Sequence, residues 1–372
     1  MRVLQLGKFY PILGGVEKVM FDLVRGLSQQ GVDCDMLCAN GEIGESSYIV
    51  KLNEKAKIYC ERRLLKICAT VICPSMVLRL RHMCKYYDII HIHHPDPMAA
   101  LALIFSGYKG KVILHWHSDI LKQRLLLKFF LPLQNWLVNR ADVIIGTTPV
   151  YVACSPYLTQ VQTKCTYLPI GIDPLQWDDK KVEKIRNDYK GKKIIFSLGR
   201  LVHYKGFEYL IDAAKYIDDD NIILIGGGGE LQKKLQKKIS ACGLQDKVVL
   251  LGRIPNECVS SYFKACDLYC LSSIQKTEAF AIVQIEAMSC GKPIVATEIL
   301  GSGVSWVNAD GVSGINVKPK SGYALSKAIN RILKDESLYE KLSMGASFRF
   351  KTIFQKQAMI EKCMDIYRLC FS

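Results

Sequence analysis

Leu168-Pro169-Ile170-Gly171-Ile172-Asp173-Pro174 separates two halves of this sequence that share one kind of pattern. On each side of it, short apolar runs alternate with longer stretches whose apolar residues have helical spacing. Such alternation indicates βαβ units and a mostly parallel sheet. Because the segment is rich in Pro and Gly, it suits a hinge between domains. The sequence therefore predicts an α/β protein with two Rossmann-like, doubly wound domains.

The apolar pattern also predicts where the main elements lie. The expected strands are 3–6, 89–92, 112–115 and 143–145 in the first half, and 193–198, 222–225, 248–251, 268–271 and 294–297 in the second. The expected helices are 16–30, 98–105, 121–139, 206–215, 231–242, 255–266 and 282–289. Open α/β sheets bind ligands at the carboxyl ends of their strands, so we expect the site in a central cleft between the domains.

The composition is that of a globular and strongly basic chain. Its 372 residues include 50 Lys and Arg against 35 Asp and Glu, a formal net charge of +15, and 49% of them are hydrophobic. This apolar fraction excludes intrinsic disorder, and the length excludes a small disulfide-stapled scaffold. The charge, spread over both halves, predicts an acidic partner: a phosphorylated small molecule, an anionic lipid or nucleic acid. No nucleic-acid-binding motif is visible, which makes nucleic acid the weakest of these.

The cysteines and the N-terminus point to a reducing compartment. The fifteen cysteines include no CxxC pair, and several lie in apolar runs, where free Cys acts as a small hydrophobe. The first residues resemble a strand and lack the features of a signal peptide. The longest apolar stretches, 64–78 and 120–138, are interrupted by charges and prolines, so we expect no spanning helix. The predicted location is the cytoplasm.

In each half, a glycine-containing segment follows the first strand. Gly14 and Gly15 open the first helix, where backbone N–H groups can approach an anionic ligand. In the second half, Gly199 to Gly206 includes Arg200 and Lys205, and a planar guanidinium with a mobile ammonium suits a diphosphate. Each segment on its own is equally typical of an ordinary surface turn.

Glu278 and Glu286 are separated by seven residues, and the second lies in an apolar stretch with helical spacing. A carboxylate among apolar residues is costly unless it is hydrogen-bonded, and the hydroxyls of a sugar are suitable donors. The pair could therefore hold two sugars of one ligand. A solvated helix face or a cap is the alternative interpretation of either residue alone.

Five motifs follow one another along the chain: Gly-Gly-Val-Glu, His115-Trp116-His117-Ser118-Asp119, Gly-Arg-(x4)-Lys-Gly, Gly226–Gly229, and Glu-(x7)-Glu before Gly291-Lys292-Pro293. In this order they resemble the motifs of the retaining GT4 glycosyltransferases of GT-B fold. The resemblance runs from Gly14 to Pro319. It implies an acceptor-side domain over 1–172 and a nucleotide-sugar-binding domain over 173–353. It also implies a helix at about 354–372 that crosses back onto the first domain.

The resemblance further implies the roles of individual residues. Arg200 and Lys205 would hold the donor diphosphate, Glu278 the transferred hexose and Glu286 the ribose. His117 would lie near the reacting carbon, and the catalytic set would be His117, Glu278, Arg200 and Lys205. The other expected donor-binding residues are Gly14, Gly15, Phe280 and Ala281, with Arg253 and Ile254 near the base. No cofactor and no metal are expected.

Two departures from the family pattern concern the donor pocket. The family's usual Glu-Gly-Phe-Gly is replaced by Glu278-Ala279-Phe280-Ala281, which adds two methyl groups and disfavours positive φ. Ile170 stands where Asn is frequent in the hinge motif. Since neither change removes a charge, we expect activity to be retained.

Five histidines raise the question of a metal site. His91, His93, His94, His115 and His117 lie at the ends of two expected strands, near Asp96 and Asp119. Imidazole suits several transition metals. Hydrogen bonding to substrate or to loop backbone is the favoured interpretation, and a bound metal is the alternative.

Two basic and apolar segments suggest where much of the first half's charge acts. Residues 60–85 include Arg62, Arg63, Lys66, Arg79, Arg81 and Lys85, and residues 121–130 could form a helix with a cationic rim. Such surfaces can lie on an anionic membrane, although a core helix with a solvated face is the alternative for each segment alone. Together they favour a lipid-linked acceptor and a peripheral position on the inner face of the cytoplasmic membrane.

Two functions from different classes follow. The first is a retaining hexosyltransferase that uses a nucleotide sugar and builds a cell-envelope glycan on a lipid-linked or polysaccharide acceptor. Because residues 301–308 resemble those of bacterial polysaccharide mannosyltransferases, GDP-mannose is the first donor expected. The second is a non-catalytic GT-B protein that binds a nucleotide as an assembly partner at the membrane. The presence of Arg200, Lys205, Glu278 and Glu286 favours the enzyme.

Overall fold

The computed structural model describes residues 1–12, 14–67, 70–120 and 124–371. The chain divides into two compact units, Met1–Gly171 with Lys356–Ser372 and Ile172–Gln355. From the sequence, the domain boundaries were predicted at 172 and at about 354. Each unit has its own sheet, as expected for two Rossmann-like domains. Among the described residues, no helix is both long enough and apolar enough to cross a bilayer.

The described residues of unit 1 form ten strands and six α-helices. The strands are β1 Arg2–Tyr10, β2 Asp33–Ile43, β3 Tyr48–Asn53, β4 Ala56–Arg63, β5 Leu65–Ile67, β6 Thr70–Ile72, β7 Ile89–His94, β8 Lys111–Trp116, β9 Val143–Gly146 and β10 Cys165–Tyr167. The helices are α1 Gly15–Gln29, α2 Pro74–Met83, α3 Pro97–Ser106, α4 Arg124–Arg140, α5 Pro149–Ala153 and α14 Lys356–Leu369. Eight strands form one sheet in the order β10-β9-β8-β7-β1-β2-β4-β3, and β5 and β6 form a separate two-stranded sheet.

The central strands of this sheet are buried on both faces. All six residues of β7 are buried, as are five of the six in β8. Continuous burial is typical of parallel strands covered by helices, and these strands pair in parallel. The polar side chains on them, Gln5 and the histidines, must therefore find partners inside the protein.

Part of unit 1 differs from the expectation. Strands β2, β3 and β4 were not predicted. They follow one another with no helix between them, so the alternation of strand and helix on which the prediction rests does not apply there. The segment 60–85 folds as the end of β4, the β5–β6 hairpin and α2. The helix expected over 121–139 is observed from Arg124, and residues 121–123 lie outside the described part of the chain.

The C-terminal helix α14 packs on unit 1, through α1 and β1. Gly26 of α1 allows this approach, since a Cβ built there would lie 1.9 Å from Cδ1 of Ile360. The side chain of Tyr367 contacts the sheet at β1, where its hydroxyl accepts a hydrogen bond from Nε2 of Gln5 at 2.8 Å. The last helix therefore supplies a buried polar group to the centre of the sheet.

Unit 2 contains six strands, all paired in parallel. The strands are β11 Lys193–Leu198, β12 Asn221–Gly226, β13 Val248–Gly252, β14 Leu268–Leu271, β15 Ile294–Thr297 and β16 Gly314–Val317, in the order β13-β12-β11-β14-β15-β16. The helices are α6 Asp179–Asp188, α7 Phe207–Ala213, α8 Gln232–Ala241, α9 Asn256–Ala265, α10 Ile282–Ser289, α11 Val304–Val307, α12 Gly322–Lys334 and α13 Glu336–Arg349. The five strands and four helices that the sequence predicted here are present, and β16 was missed.

The loops after β11 and β12 cross closely at Gly227. Its φ is +129°, and a Cβ built there would lie 1.9 Å from the carbonyl oxygen of Gly199. Its neighbour Gly228 has open space around the same position. Of these two neighbours, Gly227 is therefore the one that the fold requires.

We predict that Gly227→Ala lowers the free energy of unfolding by more than about 3 kcal/mol, because it combines a forbidden φ with a backbone overlap. Gly228→Ala, in the same loop, should change it by less than about 1 kcal/mol. Urea denaturation followed by circular dichroism measures both. Equal effects of the two substitutions would contradict this packing.

Candidate functional site

An ion pair lies at the carboxyl edge of the unit 2 sheet. Nζ of Lys205 is 2.6 Å from Oε2 of Glu278, and each side chain is about nine-tenths buried. Lys205 follows β11 and Glu278 follows β14, two adjacent parallel strands. Two residues that the sequence proposed separately thus form one charged centre.

The loop that carries Lys205 is shaped by its neighbours. A single helical turn over His203–Lys205 ends at Gly206, whose φ is +64° and whose missing Cβ leaves room for the carbonyl of Ser272. The hydroxyl of Ser272 donates to the carbonyl of Lys205 at 3.0 Å. A Cβ on Gly199 would lie 3.1 Å from Cε of Lys205, so this glycine lets the lysine stem pass.

Hydroxyl side chains hold Glu278 in place. Ser273 donates to Oε2 of Glu278 at 2.8 Å, and Ser302 donates to its backbone carbonyl. Thr297, at the end of β15, donates in turn to the carbonyl of Ser273. These hydrogen bonds join the loop after β14 to the end of β15 and the loop after it, and they help to fix the carboxylate beside the lysine.

Glu286 has a different environment in the second half of α10. It is partly buried, and burial raises the pKa of its carboxyl to about 7. No side-chain hydrogen bond or ion pair to it is found among the described residues. An acidic group that is desolvated and has no such partner is suited to accept hydrogen bonds from ligand hydroxyls.

Ala281 occupies the left-handed region that the family usually gives to glycine. Its φ is +62° and ψ is 76°, and it immediately precedes α10. Ala279, the other departure, is not among the residues with positive φ. The cost of losing the two glycines is thus concentrated at Ala281.

The remaining residues proposed for unit 2 have varied settings. Arg200 is exposed, and its Nη2 is 3.5 Å from the hydroxyl of Tyr204. Arg253 is exposed after β13, whereas Ile254 is buried beside Gly226. Phe280 is buried, with its ring edge-on to Phe354 at 6.0 Å. Of these side chains, the two arginines are accessible to a ligand.

In unit 1 the proposed residues gather at the carboxyl edge of its sheet. Gly14 and Gly15 begin α1 and are exposed. His117 follows β8 and is buried, and its backbone N–H donates to the carbonyl of His94 at 3.2 Å. Asp119 is held by Trp116 and Ser155, whose Nε1 and hydroxyl donate to its Oδ1 at 2.9 and 2.8 Å. Its role there is structural.

The five histidines form a buried array. The ring planes of His91 and His93 are stacked at 4.8 Å, and those of His115 and His117 at 4.0 Å. Nitrogens of His91, His93 and His115 lie within 4.8 Å of one another, a spacing that could hold a metal ion. However, His91 and His115 hydrogen-bond to each other at 3.2 Å, and His93 bonds to His117 and Gln5. Both ring nitrogens of His91 and of His93 are thus hydrogen-bonded, whereas Nε2 of His115 has no partner among the described residues.

Burial lowers the pKa of all five of these histidines, and it brings the pKa of His115 to about 3. The charged form is disfavoured because it would lie in a dry interior, next to other histidines. The array is therefore neutral at physiological pH. Its hydrogen bonds are those of neutral imidazoles, each with one donor and one acceptor nitrogen.

The sequence interpretation missed several residues that build these two edges. Ser273, Thr297 and Ser302 fix the carboxylate of Glu278, and a hydroxyl pair directly after a buried strand, as in Leu271-Ser272-Ser273, is a signal that could have found the first. Gln5 and Tyr367 complete the histidine array. No local signal connects residues 362 positions apart.

Comparison with known families agrees with the two-unit division. The sequence profile described as Glycosyltransferase Family 4 matches residues 13–174, and that described as Glycosyl transferases group 1 matches residues 178–347. Each profile covers most of one unit.

Individual proteins are similar over the whole chain. "O-antigen chain mannosyltransferase C" of Escherichia coli is 29% identical over 99% of this chain and 98% of its own. "D-rhamnosyltransferase WbpZ" of Pseudomonas aeruginosa is 27% identical over 95% and 92%. The crystal structure of Anabaena Alr3699/HepE in complex with UDP superimposes with a TM-score of 0.76 at 19% identity, over 99% of this chain and 100% of that one.

The strained backbone at Ala281 gives a stability prediction. In Ala281→Gly, relief of a left-handed Cβ, worth about 1–2 kcal/mol, opposes the usual entropic cost of glycine. Ala279→Gly incurs only the cost. The first variant should therefore be about 1–2 kcal/mol more stable than the second in urea denaturation. A more stable Ala279→Gly variant would contradict the conformation of this loop.

Proposed function

The chain belongs to the GT4-type glycosyltransferases of GT-B fold, and from this we propose that it transfers a hexose from a nucleotide-diphosphate sugar to a cell-envelope glycan acceptor, with retention. The observation that carries the proposal is the Lys205–Glu278 pair at the carboxyl edge of the unit 2 sheet. In this assignment Lys205 and Arg200 bind the diphosphate. Glu278 and Glu286 bind hydroxyls of the hexose and the ribose.

The charges of unit 2 match the parts of such a donor. Lys205 is an almost buried cation, and a buried cation interacts with a phosphate more strongly than an exposed one does. Arg200 is exposed on the same loop and can reorient toward the ligand. The partly buried carboxyl of Glu286 offers acceptors for a vicinal pair of hydroxyls.

GDP-mannose is the donor we propose to test first. The support comes from similarity over nearly the full length of the Escherichia coli O-antigen mannosyltransferase, together with the resemblance of residues 301–308 to mannosyltransferases. In this chain those residues include Ser302, which bonds to Glu278, so they lie at the proposed sugar site.

For the chemical step we propose front-face substitution at the anomeric carbon. The bond from that carbon to the diphosphate oxygen breaks while the acceptor hydroxyl oxygen bonds to the same face. The acceptor proton passes to the departing phosphate oxygen, and the products are the glycoside and a nucleoside diphosphate. Arg200 and Lys205 stabilise the charge that grows on the leaving group. Glu278 is assigned to binding and not to nucleophilic attack, because its carboxylate is held by Lys205 and Ser273.

We also propose that unit 1 docks on an anionic membrane and takes a lipid-linked acceptor there. Ile43, Leu64, Leu65 and Leu78 are exposed apolar residues in or next to the basic segment 60–85. Not all of its cations are available, since Arg63 is buried and Arg79 pairs with Glu61 at 2.8 Å. Arg62, Arg81 and Lys85 are exposed and would face lipid headgroups.

The transfer assay should use variants that do not leave a buried charge unpaired. Removing Lys205 alone leaves Glu278 desolvated and unpaired, which costs several kcal/mol of stability. Lys205→Met combined with Glu278→Gln removes both charges. This double variant should keep the wild-type melting temperature within a few degrees but release nucleoside diphosphate from GDP-mannose at least about 100-fold more slowly.

The matched control is Lys238→Met with Asp212→Asn, an ion pair of the same 2.6 Å length elsewhere in unit 2. It should leave turnover unchanged. The linkage of the product, read by NMR, should keep the anomeric configuration of the donor. An inverted product would overturn the retaining mechanism, and full turnover in the first double variant would overturn the site.

Vesicle flotation tests the membrane assignment. The protein should bind vesicles that contain anionic lipid and not neutral ones. Arg62→Glu with Arg81→Glu should weaken binding at least about 30-fold, at roughly 1 kcal/mol for each cation lost. Lys233→Glu with Lys237→Glu, on the exposed face of α8, is the control and should have little effect. Equal binding to neutral vesicles would contradict the proposal.

A further inference from the structure

A continuous hydrogen-bonded chain leads from the C-terminal helix to His117. The hydroxyl of Tyr367 lies 2.8 Å from Nε2 of Gln5, and Oε1 of Gln5 lies 2.8 Å from Nε2 of His93. Nδ1 of His93 is in turn 2.8 Å from Nε2 of His117. Apart from His117, which is 6% exposed, every member is fully buried.

The amide of Gln5 gives this chain a direction. Its NH₂ group faces the hydroxyl of Tyr367 and, at 3.9 Å, the sulfur of Cys34, so its carbonyl oxygen faces His93. A carbonyl oxygen only accepts, and Nε2 of His93 must therefore carry a proton and donate it. The neutral ring of His93 then has an unprotonated Nδ1, which can only accept.

The same reasoning sets the tautomer of His117. Because Nδ1 of His93 accepts, Nε2 of His117 must be the donor across the 2.8 Å contact. A neutral His117 is consequently unprotonated at Nδ1. Among the described residues that nitrogen has no hydrogen-bond partner, and it lies at the carboxyl edge of the sheet.

We propose that Gln5 and His93 are positioning residues that hold His117 as its neutral Nε2–H tautomer, so that its Nδ1 accepts a hydrogen bond from a hydroxyl of the transferred sugar. The choice of the transferred sugar as partner rests on the proposed function. The tautomer rests on the hydrogen-bond chain alone.

This assignment separates two roles that a histidine could have in such a site. A bare ring nitrogen attracts a hydroxyl and repels an ionised phosphate oxygen, which also only accepts. His117 therefore selects for the sugar and does not add to the cations on the diphosphate. His91 and His115 form a separate arm, in which the hydroxyl of Tyr367 contacts Nδ1 of His91 at 2.6 Å.

The tautomer can be measured without turnover. Nitrogen-15 NMR of the full chain, with its seven histidines labelled, distinguishes a protonated from a bare ring nitrogen. The signals of His117 are assigned as those lost in His117→Asn. In the wild-type protein Nε2 of His117 should be protonated and Nδ1 bare, and in Gln5→Leu the two tautomers should both be populated.

Two further variants serve as controls, to show that a change of tautomer does not result from misfolding. Gln5→Glu keeps an acceptor facing His93 and should keep the wild-type tautomer of His117. His115→Asn alters the ring stacked on His117 but leaves the chain from Gln5 intact, and it should also keep that tautomer. A protonated Nδ1 in the wild-type protein would overturn the proposal, as would an unchanged tautomer in Gln5→Leu.

A double-mutant cycle then tests whether Gln5 acts through His117. Gln5→Leu should lower kcat/KM for the donor about 3- to 10-fold, the value of one neutral hydrogen bond. In a His117→Ala background the same substitution should have no further effect. Additive losses would show a purely structural role and overturn the positioning. The NMR result does not depend on enzymatic activity. Absence of sugar transfer would therefore contradict the proposed function without contradicting the tautomer of His117.

Discussion

The arrangement of the unit 2 site depends on one electrostatic constraint, the pairing of Lys205 with Glu278. Both charges are removed from water, so each is tolerated only because the other is 2.6 Å away. The loops after β11, β14 and β15 must keep that spacing, and Ser272, Ser273 and Thr297 join them for this purpose. A ligand that carries both phosphates and hydroxyls can satisfy the same two groups without exposing either to an apolar environment.

The two units present different chemistry at their sheet edges. Unit 2 offers charges, and unit 1 offers a neutral array in which burial lowers the pKa of every histidine from His91 to His117. Neutral imidazoles discriminate by direction of hydrogen bonding, whereas the cations of unit 2 discriminate by charge.

The sequence was most informative where structure is local. In unit 2 every predicted strand was found, because each is an apolar run bounded by turns, as in Lys193–Leu198. Strands β2–β4 were missed, since they follow one another without the helices that the expected alternation places between strands. The motifs identified Lys205 and Glu278 but did not show that the two side chains are in contact. The contact between Gln5 and Tyr367 could not be predicted, because helix α14 returns to β1 from the far end of the chain. Of Ala279 and Ala281, the two alanines that replace glycines of the family, Ala281 alone has the positive φ that makes the replacement costly.

Our central proposal is that Lys205, paired with Glu278, binds the diphosphate of a nucleotide sugar. Calorimetric titration of the full chain with GDP and with GMP tests it most directly, since the two ligands differ by one phosphate. We expect the wild-type protein to bind GDP more tightly than GMP, and we expect Lys205→Met with Glu278→Gln to abolish this preference. A preference that survives in the double variant, or equal affinity for the two nucleotides in the wild-type protein, would contradict it.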